Sequence, residues 1–134
     1  MGENMGLYRG KVKDSDIWAE GFYAVFGTGH FIGAYDESET VVWVEVEPKT
    51  VGQYTGLTDK NGVKIFEGDI CRNTRNGEIV SVKWHGTMAG FVWSKRKEGT
   101  CLYDFGELFR AHDKCEVIGN IHDNPELLEV VTEP

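Results

Sequence analysis

Residues 55–70 read TGLTDKNGVKIFEGDI. Three glycines, two aspartates and an Asn-Gly pair share sixteen positions, which is the composition of either a ligand loop or a chain reversal. A calcium loop needs oxygen ligands at alternate positions and a carboxylate at the twelfth. Counting from Asp59 places Val63 fifth and Ile70 twelfth, and setting Gly62 sixth makes Leu57 the first ligand. Neither register coordinates a cation. A phosphate loop needs Lys followed by Ser or Thr after its last glycine, and that pair does not occur here. Turn chemistry accounts for every residue. Asn61 and Gly62 both tolerate the positive φ of a type I′ hairpin turn. Val63, Ile65 and Phe66 then start a returning strand, and Gly68-Asp69 marks a bend or bulge before Ile70 opens the next one.

Strand signals continue on both sides. GFYAVFGTGHFIGAY (21–35) is two aromatic-rich runs broken by Gly27-Thr28-Gly29, which predicts a hairpin. VVWVEVE (41–47) puts Val42, Val44 and Val46 on one face and Trp43, Glu45 and Glu47 on the other, a strand with one wet side that Pro48 ends. DICRNTRNGEIVSVKW (69–84) carries a second Asn-Gly pair between two strand-like runs. In GFVWSKRKEGTCLYDF (90–105), residues 95–99 read as the tip between another two. CEVIGNI (115–121) is a last short strand. Helical signals are few. Phe105, Leu108 and Phe109 sit at i, i+3 and i+4 and suit one or two turns. Pro125 after Asp123-Asn124 predicts a short helix over 125–131, with either side chain as its cap and Glu126 at its positive end.

The expected fold is all-β. A hairpin and strand layer occupies 7–52, a small SH3-like β-barrel 53–122, and a short helix with a tail 123–134. No apolar run reaches the roughly 18 residues of a membrane span, and the start MGENMGLYRGK has no signal-peptide core. Gly6 stands where myristoylation asks for Ser or Thr. Cys71, Cys101 and Cys115 are an odd number without paired spacing and read as free thiols in a reducing cytoplasm.

The net charge is −8 and unevenly spread. Residues 14–48 hold eight acids and no Lys or Arg, a net −8. Residues 70–97 hold Arg72, Arg75, Lys83, Lys95, Arg96 and Lys97 against Glu78 alone, so 6 − 1 leaves +5. These six cations are either a solvated face or a basic docking surface, and the opposite halves also suit head-to-tail contact between copies. Trp84, Phe91, Trp93 and Tyr103 lie near them, a pairing of cations and aromatics that single-stranded nucleic acid uses on small barrels. The acidity of the whole chain opposes that use.

Catalytic chemistry is not visible. His112-x-x-Cys115 has the spacing of half a zinc site, but no second pair completes it. Cys115 with His112 or His122 is a conceivable nucleophile and base, and strand-borne cysteines more often pack as small hydrophobes. The expectation is no enzyme, no metal and no cofactor.

VGQYTGLTDKNGVKIFEGDI (51–70) followed by EVIGNIHDNPELL (116–128) resembles the YopX family of phage and prophage proteins. YRGK (8–11) and WAEGFY (18–23) are similar to its N-terminal pattern, so the likeness runs over about 7–128. The resemblance implies a small, mostly β protein encoded by a phage or prophage, so the cytoplasm expected from the thiols is that of a bacterial host. It brings no activity, cofactor or catalytic residue. The functional expectation is a non-enzymatic protein-binding or assembly module, self-associating or binding a phage or host protein. Nucleic-acid binding is the alternative.

Overall fold

The computed structural model describes residues 7–97, 100–104 and 106–128, the side chains of residues 96, 97, 100, 101 and 107 excepted. The chain divides into two compact units between Tyr54 and Thr55.

In the first unit β1 (Tyr8–Lys11), β2 (Trp18–Phe26), β3 (Gly29–Tyr35), β4 (Val41–Glu45) and the start of β5 (Gly52–Thr58) pair antiparallel in the order β4-β3-β2-β1-β5. The 21–35 hairpin forms as expected. Phe26 pairs with Gly29 across Gly27-Thr28, and Gly27 takes φ +58°, the positive first position of a type II′ turn. Asp36 organises the β3–β4 connection, its Oδ1 accepting the Ser38 and Thr40 amides at 2.8 and 3.0 Å. Past β4 the chain returns to the end of β1. Val46 bridges Val12, Glu47 N–H donates to the Lys11 carbonyl, and Lys13 N–H donates to that of Glu45. Ile32 and Val46 are the fully buried aliphatics of this unit.

In the second unit the rest of β5 lies beside β6 (Lys64–Phe66), with Thr55 Oγ1 donating to the Ile65 carbonyl at 2.8 Å. β7 (Asp69–Asn73), β8 (Ile79–His85), β9 (Gly90–Lys97), β10 (Thr100–Asp104) and β11 (Cys115–Asn120) form an antiparallel sheet ordered β10-β9-β8-β7-β11. The all-β class is as expected; the SH3-like barrel is not. β10 and β11 are the two edges of an open sheet. The reason is α1 (Glu107–Ala111), which drops Leu108 and Ala111 onto Ile65, Cys71, Val80, Val82, Trp93 and Cys115. A helix supplies the covering layer that opposed strands would supply in a closed barrel.

Three local expectations are also corrected. Of the Asn61-Gly62 pair only Gly62 has positive φ (+81°), so the turn is not type I′. β9 runs on through residues 95–97, and the tip shortens to residues 98 and 99, which lie outside the described residues. The C-terminal helix is a 3-10 turn over Pro125–Leu128, with residues 129–131 outside the described residues. Asn124 does not cap it by side chain: its Oδ1 accepts the Asn120 amide at 3.2 Å instead.

Candidate functional site

The 55–70 stretch spends its carboxylates on backbone. Asp59, 5% exposed, accepts the Asn61 and Val63 amides on Oδ1 at 2.8 and 2.9 Å and the Val117 amide on Oδ2 at 2.9 Å. Asp69 Oδ2 accepts the Phe66 amide at 2.7 Å. One side chain therefore closes the turn and fixes β11 to it. The residues that looked most like ligands are structural hydrogen-bond acceptors.

Among the described side chains the predicted basic residues do not form a single patch. Arg72 lies across from Glu116 on β11 and ion-pairs with it at 2.5 Å. Lys95 pairs with Glu78 at 2.6 Å, and these two share a cavity wall with Arg75, Val80, Trp93 and Asp104. Lys83 points the other way, because Cα partners share a face and its partner is Val92 while those of Val82 and Trp84 are Trp93 and Phe91. The side chains of Arg96 and Lys97 lie outside the described residues. The aromatics divide likewise. Trp93 is core, Trp84 stacks edge-on with Phe91, and Tyr103 meets His85 from the opposite face. The structure thus unites Arg75 with Lys95 and separates both from Arg72 and Lys83.

His112 and Cys115 do not converge on a reacting centre. His112 Nδ1 is 2.7 Å from the Thr58 carbonyl. Cys115 is buried against Cys71, and this contact together with burial pushes the Cys71 thiol well above the usual thiol range.

A different surface stands out in the first unit. The registers Phe22↔Gly33↔Trp43 and Ala24↔Phe31↔Glu45 place Phe22, Phe26, Phe31, Tyr35 and Trp43 on one face of β2-β3-β4. Phe26 packs at 5.5 Å on Phe31 and edge-on at 5.4 Å on Trp43, while Phe22 meets Tyr35 edge-on at 6.2 Å. Gly33 is what lets the Trp43 ring lie flat to the sheet, since a Cβ there would come within 2.6 Å of it. Yet Phe26 is 54% and Trp43 42% exposed. On the other face Val42, 48% exposed, and Val44 line a largely apolar cavity of about 420 Å³ with Ile32, Ala34 and Ala19. The wet side of 41–47 therefore carries aromatic surface beside Glu45. Alternation in GFYAVF carried that signal, since Phe22 and Phe26 share the face that Trp43 joins once the register is known.

A family model described as YopX protein matches residues 8–129, from β1 to the final 3-10 turn. The chain belongs to the YopX protein family. Among solved structures it is similar to protein EF1440 from Enterococcus faecalis, at 25% identity over 91% of this chain and 96% of that one, with a TM-score of 0.44. No curated protein matches the chain. The two blocks that carry the YopX resemblance, 51–70 and 116–128, meet in the structure where Asp59 of the first accepts the Val117 amide of the second. No helix among the described residues is long and apolar enough to cross a membrane.

Proposed function

We propose that this YopX protein is a phage- or prophage-encoded, non-enzymatic protein-binding module of the bacterial cytoplasm, which captures an extended segment of its partner along β4. The edge of that strand over residues 41–44 carries the reading: it is open among the described residues, while Glu45 at its end already accepts the Lys13 amide. β4 ends the strand order, and residues 41–44 are Val-Val-Trp-Val. Edge strands of soluble proteins are normally blunted by Lys, Pro or a bulge, and none occurs within β4. Its one charge, Glu45, sits at the end and pairs with Lys13 at 3.4 Å. Strand addition would satisfy the open backbone and cover Trp43 and Phe26 on one side and the Val42–Val44 cavity on the other.

Charge selects the occupant. Asp36, Glu37 and Glu39 precede β4, Glu45 ends it and Glu47 follows. An antiparallel partner alternating apolar with basic residues fits this frame. A second copy of β4 fits poorly, because its acids would meet these across the pair.

Short labelled peptides alternating Lys or Glu with Val and Ile, read by fluorescence anisotropy, test the proposal. The Lys series is expected to bind saturably and the Glu series not. Val42→Lys, which places a charge on the edge, is expected to weaken binding by about tenfold or more. Absence of binding in both series, or a dimer in light scattering that Val42→Lys dissolves, would overturn it.

A further inference from the structure

We propose that the second unit holds a separate small-molecule site, at the β7–β8 turn, that takes an amino-acid-sized zwitterion. The cavity there measures about 330 Å³, within the range of ligand pockets. Val80 and Trp93 give it apolar walls, and Arg75, Glu78, Lys95 and Asp104 give it charged ones. Trp93 is 2% exposed, and its indole Nε1 is buried without an acceptor. A buried donor left unmatched costs roughly 1–3 kcal/mol, a cost that an acceptor bound in the cavity would relieve.

The chemistry of the walls narrows the class. Among the described residues two cations and two anions line the site, so their charges cancel and favour neither phosphate nor a polyamine. It does offer opposite charges at separate positions beside the apolar Val80 and Trp93 side chains. A carboxylate meeting the Arg75 side, an ammonium meeting Asp104 and a small side chain against Val80 and the indole would use all of them. The turn that presents Arg75 is built before any ligand comes. Asn73 Oδ1 accepts the Arg75 amide at 2.9 Å, Asn73 N–H donates to Glu78 at 2.8 Å and Gly77 N–H to Asn73 at 2.7 Å. Preorganisation of this kind lowers the ordering cost of binding.

The test uses isotope-labelled full-length protein and its four tryptophan indole N–H resonances in NMR spectra. Trp93 is identified as the slowest of them to exchange with solvent. Glycine, L-alanine, L-serine and L-glutamine are titrated singly, with sodium acetate and sodium phosphate at matched ionic strength as comparisons. At least one amino acid is expected to shift the Trp93 resonance saturably while acetate and phosphate leave it in place. Asp104→Asn, a change at an exposed position, is expected to weaken that binding by about tenfold. No saturable shift with any of the four overturns the proposal, leaving a cavity filled by water. An equal response to acetate or phosphate overturns it as well, since the site would then read negative charge alone.

Discussion

At the scale of single residues, Asp59 is the side chain on which the second unit most visibly turns. It is buried, and three amides from two distant parts of the chain converge on its carboxylate. Asp59→Ala leaves those amides unmatched and is expected to cost about 3 kcal/mol or more, read as a lower urea midpoint with unchanged slope. Cys71 makes a second prediction. Its contact with Cys115 and its burial hold the folded-state pKa above that of the unfolded thiol. The folded chain keeps a proton that the unfolded chain loses, so this contribution is full below the ordinary thiol pKa of about 8.5 and declines as pH rises beyond it. In a Cys101→Ser background, unfolding midpoints are expected to fall more steeply between about pH 9 and pH 10 for the protein with both thiols than for its Cys71→Ala, Cys115→Ala variant, because the folded pair keeps one proton that two unfolded thiols lose. Neither role was fully legible beforehand. That the Asp-Lys-Asn-Gly run was a turn could be read from residue types, but its Val117 contact spans 58 positions, and no local pattern encodes it.

At the scale of elements, alternation located most strands, because side chains on a pleated ribbon repeat every two residues whatever they pack against. The hairpins at 21–35 and 69–84 followed from their glycines. Strand ends and helices fared less well. The 125–131 helix was expected from capping residues alone, and it is a 3-10 turn because Asn120 and Asn124 spend their side chains on each other's neighbourhood: Asn120 Oδ1 takes the His122 and Asp123 amides. α1 forms because the cluster around Trp93 and Cys71 needs Leu108, a tertiary reason that outweighs a weak periodic signal. Close approach also sets an element-scale test. β2 and β3 touch at Gly21, where a Cβ would stand 2.1 Å from the Gly33 carbonyl oxygen. Gly21→Ala must part the two strands and is expected to destabilise the protein by about 3 kcal/mol in thermal or urea unfolding. The same change should increase the solvent exposure of Trp43, which rests on Gly33, as a shift in tryptophan emission.

At the scale of the whole molecule, the charge asymmetry that the chain displays in sequence is partly cancelled in space. Glu116 and Glu78 neutralise Arg72 and Lys95, and Arg75 and Lys83 lie on different faces. Labelled single-stranded oligonucleotides are accordingly expected to show no saturable binding at about 0.15 M salt, and tight, salt-dependent binding would return the basic segment to the centre of the protein's function. The sequence by itself determined the all-β class, the turn character of 55–70 and the family, because glycine φ, strand alternation and Asx chemistry are local properties. Tertiary structure alone decided that the second sheet stays open, that the described cations divide between its faces, and that the open edge at 41–44 and the unmatched indole N–H lie on different units. Register and helix placement fix those facts, and both depend on which distant residues meet, a relation that no window of neighbouring residues contains.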